Sequence, residues 1–509
     1  MLIVKLVNSL ALLLISGSTF AASSSAPAGI AWEQGDVAAA FAKAKAEKKP
    51  LFLYWGATWC PPCNQIKATV FNQQRFIDRT KQFIPVYIDG DSAGAQKLAS
   101  QFKVRGYPSM ILFKPDGSEI TRLPGEVDAD RYLSTLELGL SNARPVKETL
   151  SSALAGGKLS PDDWRLLADY SWDSDQAQLV PEDQLAATLK TLAKSVPATE
   201  SYASTHLQLK AIAQAAGDEK TTGPAEELAL VHKVLADKQQ ARDNFDVLVN
   251  SATEIVGYLS KAQTSERSKL SEAWNKALQQ LALDKTLSAN DRLSALTSQV
   301  ALARLDAAKD SKLAAPMIKE VLERVAEADK TTTNGYERQS VISTAAYTLS
   351  EAGLLDESDV LLKAELKRSH APYYFMLSLG SNAKKRGDKT GALGWYEEAY
   401  KKSEGPATRV QWGSSYVSAL VDLAPQNEER IEQTAQGILK EVAVTPNAFY
   451  ERSRRSIEKI VNKLATWNKD KQHDAAVGRV LTQLDGICSK LPASDPQRGI
   501  CQDLLKPKA

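Results

Sequence analysis

The chain has 509 residues and carries 63 lysines and arginines against 61 acidic residues, a formal charge of +2. This length exceeds what one hydrophobic core serves, so we expect two or more domains or a repeat array. Apolar residues make up 43% of the chain and charged residues 24%, which excludes global disorder. The balanced charge argues against bulk binding of nucleic acid. Four cysteines are too few for a disulfide-dense scaffold.

The N-terminus has the pattern of a secretory signal peptide. Lys5 precedes a short apolar stretch at residues 10–15, and small residues follow up to Ala21 and Ala22. The apolar stretch is well short of the ~20 residues that a membrane-spanning helix needs. We predict a signal peptide over residues 1–21, cleaved after about Ala21, and a mature protein that is exported and not embedded in a membrane. The alternative is an uncleaved membrane anchor.

Residues 30–142 alternate short apolar strands with helical patterns. Strands are predicted over residues 51–55, 83–88, 110–113 and 119–121, and helices over 37–48, 63–71, 94–102 and 128–138. A Lys-Pro-Asp-Gly turn separates the last two strands. This alternation predicts a compact α/β domain.

The sequence from residue 145 onward is helical in character. Between Ala225 and Ala352 it contains only two glycines and one proline, and leucines recur at helical spacing. Ser160 followed by a proline and two acids is typical of a helix start. We predict a helical region over 145–335 and a second one over 336–509.

One segment of the second helical region, residues 373–406, resembles a tetratricopeptide repeat. Gly380, Gly387 and Tyr396 stand where that repeat has a small residue, a turn glycine and an aromatic residue. A turn glycine recurs 34 residues earlier at Gly353, but the positions after it depart from the pattern. The alternative is a set of generic helical hairpins without a binding groove.

The strongest chemical signal is the sequence Trp59-Cys60-Pro61-Pro62-Cys63, which joins a predicted strand to a predicted helix. At such a junction the free backbone N–H groups of the helix start stabilise a thiolate on the first cysteine. Cys60 could then attack a substrate disulfide, and Cys63 would resolve the mixed disulfide. Pro61 and Pro62 restrict the loop between them.

Three alternatives compete with redox chemistry at this pair. A zinc site needs two more ligands, but the other cysteines lie more than 420 residues away and the nearest histidine is His206. An inert structural disulfide with this spacing closes almost no chain entropy. A chance pair is the third alternative.

The surrounding motifs resemble the thioredoxin superfamily. They are the Trp-Cys-Pro-Pro-Cys sequence, then Gly106-Tyr107-Pro108-Ser109, Ile111-Leu112-Phe113-Lys114, Gly117 and Gly125. The resemblance implies a central mixed sheet flanked by helices, and it makes Pro108 the cis-proline that faces the disulfide on the substrate side. Tyr107 then holds the position at which the family tunes its partners, and Trp59 is a neighbour of the active site.

Within the superfamily the sequence is similar to the exported thiol:disulfide interchange type. The stretch from Thr69-Val70-Phe71-Asn72 through Ile88-Asp89 looks like the periplasmic C-terminal domain of the transmembrane reductant DsbD and its relatives. Only 44 residues separate Cys63 from Pro108, which leaves no room for the insertion of the cytochrome-maturation thioredoxins. The resemblance implies a reductant of protein disulfides.

One residue departs from the family pattern. Many members carry a buried aspartate six residues before the first cysteine, where it assists proton transfer to the resolving thiol, and here that position is Tyr54. Asp89 and Glu126 are the nearest acids that the sequence offers, and both are interpreted as solvated carboxylates.

Cys488 and Cys501 form a second pair near the C-terminus. In an oxidising compartment they are predicted to form a structural disulfide that fixes the last helices, with a chain-entropy contribution of ~3 kcal/mol. The alternative is a second redox pair that exchanges electrons with the first one.

The remaining polar candidates are interpreted as structural. The histidines at positions 206, 232, 370 and 473 are scattered and are taken as surface or helix-packing residues. The basic clusters at 384–386 and 452–455 are taken as solvated helix faces, with an acidic partner as the minor alternative.

Together these features predict a thioredoxin-like thiol–disulfide oxidoreductase followed by an all-α, partly tetratricopeptide-like region. We place it in the periplasm of a Gram-negative bacterium. The expected partners are protein disulfide or dithiol substrates, a membrane electron donor and a protein bound by the helical region. No metal, organic cofactor or nucleic acid is implied. The alternatives are a disulfide oxidant or isomerase, or a non-catalytic binding or assembly protein that uses the thioredoxin-like domain as a docking fold.

Overall fold

The computed structural model describes residues 29–34, 36–125, 128–141, 144–175, 177–217, 223–308 and 311–506. The predicted signal peptide lies outside the described residues. Among the described residues, no helix combines the length and the apolar character needed to cross a membrane.

A five-stranded mixed sheet forms the core of the N-terminal domain. Its strands are β1 (Glu33–Gln34), β2 (Leu51–Gly56), β3 (Ile84–Asp89), β4 (Ser109–Phe113) and β5 (Glu119–Leu123). The spatial order is β1-β3-β2-β4-β5, in which β3 is parallel to β1 and β2, and β4 is antiparallel to β2 and β5. The four strands expected from the sequence are therefore present, and β1 is an addition at the edge.

The central strand β2 is buried on both faces. Phe52 and Tyr54 point into one hydrophobic cluster, whereas Leu51, Leu53 and Trp55 point into another on the opposite side of the sheet. A central strand covered by helices on both faces has no solvated side, which explains its continuous apolar sequence.

Five helices surround this sheet. They are α1 (Val37–Glu47), α2 (Pro61–Ile66), α3 (Gln74–Arg79), α4 (Ala95–Gln101) and α5 (Ala129–Leu140). The predicted helix at 63–71 begins two residues earlier and changes into a π-helical turn over Lys67–Phe71. The short helix α3 was not expected from the sequence.

From residue 145 the described residues contain helices and connections without strands. The helices are α6 (Val146–Leu154), α7 (Pro161–Ala168), α8 (Leu185–Ser195), α9 (Ser201–Ala216), α10 (Ala225–Ala236), α11 (Lys238–Asp243), α12 (Phe245–Asn250), α13 (Ala252–Leu259), α14 (Ser265–Leu283), α15 (Ala289–Arg304), α16 (Ala315–Thr331), α17 (Gly335–Glu351), α18 (Leu355–Glu365), α19 (Pro372–Lys385), α20 (Lys389–Lys402), α21 (Pro406–Leu423), α22 (Glu428–Val444), α23 (Glu451–Trp467), α24 (Asp474–Lys490) and α25 (Pro496–Leu504). The fold class predicted from the sequence is confirmed.

Residues 373–406, whose sequence resembles a tetratricopeptide repeat, contain the helical hairpin α19–α20. Gly387 adopts φ +78° in its turn, a conformation that favours glycine. A Cβ atom on Gly380 would lie 3.1 Å from the ring of Tyr396, so the small residue lets the two helices approach. Thirty-four residues earlier, Gly353 lies in the turn between α17 and α18 and has φ +84°. There Ser358 donates a hydrogen bond to the carbonyl of Ala346 (2.8 Å), and Ala346 shares a hydrophobic cluster with Leu362.

The hydrophobic core is continuous across residue 335, where the sequence analysis divides the two helical regions. One hydrophobic cluster joins α15, α16 and α17, from Leu293 to Ala352. Two later helices pack against the N-terminal domain: α17 contacts α2, and α23 contacts α4. The helical region therefore encloses the end of the sheet at which the two cysteines lie.

Candidate functional site

The cysteine motif lies where β2 ends and α2 begins. Cys60 and Cys63 form a disulfide, with Pro61 and Pro62 at the first two positions of α2. The Asn64 side chain donates hydrogen bonds to the carbonyls of Thr58 (2.8 Å) and Cys60 (2.9 Å). These bonds and the two prolines fix the loop before any substrate arrives.

Cys60 is the N-cap residue of α2. Its Sγ atom accepts a hydrogen bond from the backbone N–H of Cys63 at 3.2 Å. In the reduced protein the same N–H group and the positive end of the helix would favour a thiolate at Cys60. This is the contact that the predicted nucleophilic role of Cys60 requires.

The loop opposite the disulfide contains a cis peptide bond between Tyr107 and Pro108. Tyr107 packs against the cluster formed by Cys60 and Cys63. A Cβ atom on Gly125 would lie 3.4 Å from the ring of Pro108, so this second loop touches the first one. The Trp-Cys-Pro-Pro-Cys motif, the Tyr107–Pro108 loop and Gly125 thus lie together around the disulfide.

Both cysteines are buried. Cys60 is 2% exposed and Cys63 is 0% exposed. The cover comes from the helical region, which contacts Trp59 directly. The Trp59 indole N–H donates to Thr408 Oγ1 at 2.8 Å, and its ring lies against Trp412 (centroids 4.9 Å apart) and Tyr374 (6.0 Å).

The backbone carbonyls of Thr58 and Trp59 also contact side chains of the helical region. His370 Nε2 lies 2.9 Å from the carbonyl oxygen of Thr58, and the Gln339 side chain donates to the carbonyl of Trp59 at 3.5 Å. His370, taken from the sequence as a surface or helix-packing residue, therefore contacts the loop that carries the cysteines.

Arg452 and Asp91 complete the cover. The Thr408 hydroxyl, which accepts from Trp59, donates to Asp91 Oδ2 at 2.6 Å, and Arg452 Nη2 lies 2.9 Å from Asp91 Oδ1. The Arg452 guanidinium sits 5.4 Å from the ring of Trp59 and 5.2 Å from that of Tyr107. The interpretation of the 452–455 cluster as a solvated helix face is wrong for Arg452, which is 8% exposed and paired across the domain interface.

Tyr54 fills the position of the family's buried aspartate. It is completely buried, and its hydroxyl has no hydrogen-bond partner among the described residues. Burial raises the pKa of Tyr54 well above its usual value, so the phenol stays neutral and cannot accept a proton near neutral pH.

Lys67 lies one turn after Cys63 and is also buried. Its Nζ atom sits between the rings of Tyr87 (5.8 Å) and Tyr336 (5.2 Å), the latter from α17. Burial lowers the pKa of Lys67 to about 8, although Asp89 opposes the shift. Asp89 is half-buried and accepts a hydrogen bond from the Asp91 N–H, so its interpretation as a solvated carboxylate is wrong. Glu126 lies outside the described residues.

A buried ionic network joins the domain to the first helices of the helical region. Arg131 of α5 pairs with Asp169 (2.7 Å) and with Asp246 (2.9 Å), and its Nη2 atom lies 2.9 Å from His206 Nε2. Burial, reinforced by Arg131, lowers the pKa of His206 to about 4. His206 is therefore neutral at physiological pH and is a buried member of this interface, not a surface residue.

The second cysteine pair is separate from this site. Cys488 and Cys501 form a disulfide between α24 and α25, and both belong to the hydrophobic cluster of the last helices. They make no contact with the cluster around Cys60. Within the described part of the chain, no three histidine, cysteine or carboxylate side chains are arranged to hold a metal ion.

The sequence does not identify the individual residues of the helical region that contact the loop of Thr58 and Trp59. Thr408, Gln339 and His370 lie 280 to 349 positions from the residues they contact, and nothing local marks them. The sequence marks Trp59 as a neighbour of the cysteines, and the structure adds its contacts with Thr408 and Trp412.

Residues 37–139 match the thioredoxin-like domain family. The chain therefore contains a thioredoxin-like domain with a Cys-x-x-Cys disulfide, followed by a large helical region. It is similar to the thiol:disulfide interchange protein DsbD of Pseudomonas fluorescens, 37% identical over 94 residues, which is 18% of this chain and 16% of the relative. The similarity to DsbD 2 of Pseudomonas aeruginosa is 32% over 97 residues, with the same coverage.

Among solved structures, the thioredoxin of Thermus thermophilus matches 21% of this chain and 86% of its own, with 23% identity and a TM-score of 0.20. The chain spans about a sixth of the length of the curated relatives it matches, 16% in each case. At the level of the family, the domain and its cysteine pair support thiol–disulfide redox activity.

Proposed function

We propose that the protein is an exported thiol–disulfide oxidoreductase that reduces disulfides through Cys60 and Cys63. The observation that carries the proposal is the position of Cys60 at the start of α2, with its sulfur accepting the Cys63 N–H opposite a cis-proline. A thiolate held in this way is a nucleophile, and the adjacent cysteine can displace the bound substrate.

The direction of electron flow rests on the resemblance to the DsbD domain. A reductant on the exported side needs electrons from a membrane donor, and such a donor is part of the proposal. The location is supported by the signal-peptide pattern of residues 1–21 and by the disulfide between Cys488 and Cys501, since structural disulfides persist in oxidising compartments.

The reduction potential of the Cys60–Cys63 pair tests the direction. It is measured in glutathione buffers on the mature protein with C488S and C501S substitutions, which remove the second pair from the signal. We expect a value near the ~−270 mV of thioredoxin. A value near ~−120 mV would make the protein a disulfide donor and would overturn the reductant assignment.

The burial of Cys60 favours a second candidate function, a binding protein whose thioredoxin-like domain only docks the helical region. Cys63→Ser distinguishes the two, because an active Cys60 without its resolving partner stays attached to its substrate. The oxidoreductase is supported if Cys63→Ser forms mixed disulfides that dithiothreitol releases. The control variant Cys60→Ser/Cys63→Ser should form none. Their absence from both variants supports the binding protein.

A further inference from the structure

A cavity of about 400 Å³ lies between the thioredoxin-like domain and the first helices of the helical region. On the domain side it is lined by Tyr107, Pro108 and Gly125, the two loops that face the disulfide. On the opposite side it is lined by Lys210 of α9 and Ser251 at the start of α13, among others. This volume is in the range of sites for small ligands and is far too small for a folded protein.

The cavity ends one side chain short of the reactive sulfurs. Tyr107 lines it and also packs against the cluster of Cys60 and Cys63, so one side chain separates the cavity from the disulfide. On the other side of the disulfide, Trp59 is closed off by Thr408 and by the aromatic residues of α19 and α21. A substrate that does not displace the helical region therefore has to approach along the proline loop.

The cavity wall carries an excess of positive charge. Arg105, Arg131 and Lys210 line it, against two carboxylates, Asp169 and Asp246. The carboxylates are committed to ion pairs with Arg131, and Asp246 also pairs with Lys210 at 3.0 Å. Arg105 is exposed at the edge of the cavity, so its charge is available to attract an anion.

We propose that this cavity is the entrance through which a short, negatively charged disulfide of the size of glutathione disulfide reaches Cys60 while the helical region stays in place. The inference rests on the proposed thiol–disulfide exchange and names the substrate class of that same site.

The exchange balances with the two cysteines alone. The Cys60 thiolate attacks one sulfur of the small disulfide, which forms a Cys60–substrate bond and releases the first substrate thiolate. Cys63 loses its proton to solvent and attacks Cys60, which releases the second thiolate and leaves the Cys60–Cys63 disulfide. The substrate is reduced to two thiols, which take up two protons, and the protein is oxidised by two electrons.

The test compares oxidation of the reduced, full-length mature protein by glutathione disulfide, by the cationic disulfide cystamine and by insulin, followed by alkylation and mass spectrometry of Cys60. We expect oxidation by glutathione disulfide to be at least about a hundredfold faster than by insulin, since only the small disulfide fits the cavity. Insulin reacting as fast as glutathione disulfide would overturn the inference.

Two variants locate the entrance. Ser251→Trp places a large ring in the cavity, and we expect oxidation by both small disulfides to slow by about tenfold or more. Ser265→Trp, at the exposed start of α14 and away from the cavity, is the matched control and should keep the original rates. An unchanged rate in a folded Ser251→Trp protein would show that substrates enter elsewhere.

Arg105→Glu tests the charge of the substrate. We expect the ratio of the glutathione disulfide rate to the cystamine rate to fall roughly threefold or more, because the positive edge becomes negative. Lys81→Glu, an exposed lysine of the same domain outside the cavity, should leave the ratio unchanged. An unchanged ratio in Arg105→Glu would contradict the proposed preference for anions.

These outcomes separate the inference from the proposed function. If the Cys60–Cys63 pair exchanges with no disulfide in any variant, even after long incubation, the oxidoreductase proposal fails. If it exchanges, but with insulin or with equal speed in Ser251→Trp, only the entrance is wrong.

Discussion

Tyr54 occupies the place from which related proteins move a proton, yet it lacks the means to do so. Its hydroxyl is buried without a hydrogen-bond partner among the described residues, and burial raises its pKa further. An unpaired buried hydroxyl costs free energy, so the contribution of Tyr54 to stability comes from its ring, which packs against Phe71 (centroids 4.9 Å apart) and Tyr87 (5.3 Å).

We therefore expect Tyr54→Phe to leave the rate and pH profile of thiol–disulfide exchange unchanged. The free energy of unfolding should stay the same or rise by up to about 1 kcal/mol, since the substitution removes an unpaired polar group. Urea unfolding and the pH dependence of Cys60 oxidation are the measurements. Exchange slowed by about tenfold or more would place the phenol in the proton pathway.

Tyr132→Phe is the matched control, in the same hydrophobic cluster. The Tyr132 hydroxyl donates to Met110 Sδ at 3.2 Å, so its removal breaks an existing contact and leaves the sulfur without it. This variant should lose up to about 1 kcal/mol of stability, opposite in sign to the Tyr54 variant.

At the scale of single elements, the last two helices depend on a covalent link. α25 is nine residues long, and it is held to α24 by the disulfide between Cys488 and Cys501, whose sulfurs are buried with Leu484 and Leu504. A helix this short is marginal in isolation, so its stability comes from packing and from the link.

We expect Cys488→Ala/Cys501→Ala to lower the stability of the protein by about 3 kcal/mol, the chain-entropy estimate for a loop of this length. The rate of Cys60 oxidation by glutathione disulfide should not change, because the second pair makes no contact with the first. Thermal unfolding and the alkylation assay measure the two effects. A changed oxidation rate would support the alternative of a second redox pair.

The elements themselves were largely predictable from the sequence. The apolar runs of β2, β3 and β4 and the Cys-Pro-Pro-Cys junction are local patterns whose physical cause lies within a few residues. β1 and α3 escaped because Glu33–Gln34 and Gln74–Arg79 have no marked periodicity. Arg452 was misjudged for a related reason, since a basic run on a helix gives no sign of which face another domain covers.

At the scale of the whole molecule, the arrangement of the two regions was beyond sequence reasoning. The contacts that bury Cys60 join positions 280 to 349 residues apart, each through one or two ordinary side chains. The sequence around Thr408, Gln339 and His370 does not indicate that these residues contact the cysteine loop, because the contact depends on how the helices pack. Among the described residues the helical region packs against the chain's own thioredoxin-like domain, and its binding of another protein stays a prediction.

The network around Arg131 makes the docking of the two regions sensitive to acid. His206 has a pKa of about 4 in the folded protein and the usual 6.5 when unfolded, so between these values the unfolded chain binds more protons and stability falls as the pH falls. Burial alone would raise the pKa of Asp169, but Arg131 and Arg165 lower it to about 2. Its contribution is therefore present above the unfolded pKa of about 4 and is lost as the pH falls towards 2.

We expect the free energy of unfolding to fall by roughly 2 kcal/mol between pH 7 and pH 5 because of His206 alone, and His206→Gln to remove most of this decrease. Glutamine can still donate to Asn244 and accept from Arg131, the two contacts that the neutral imidazole makes. Urea unfolding of both proteins at pH 8, 7 and 5 measures the effect, and pH 8 is the reference at which histidine is neutral in both states. If the decrease in the His206→Gln variant equals that of the original protein, the acid sensitivity does not come from this network.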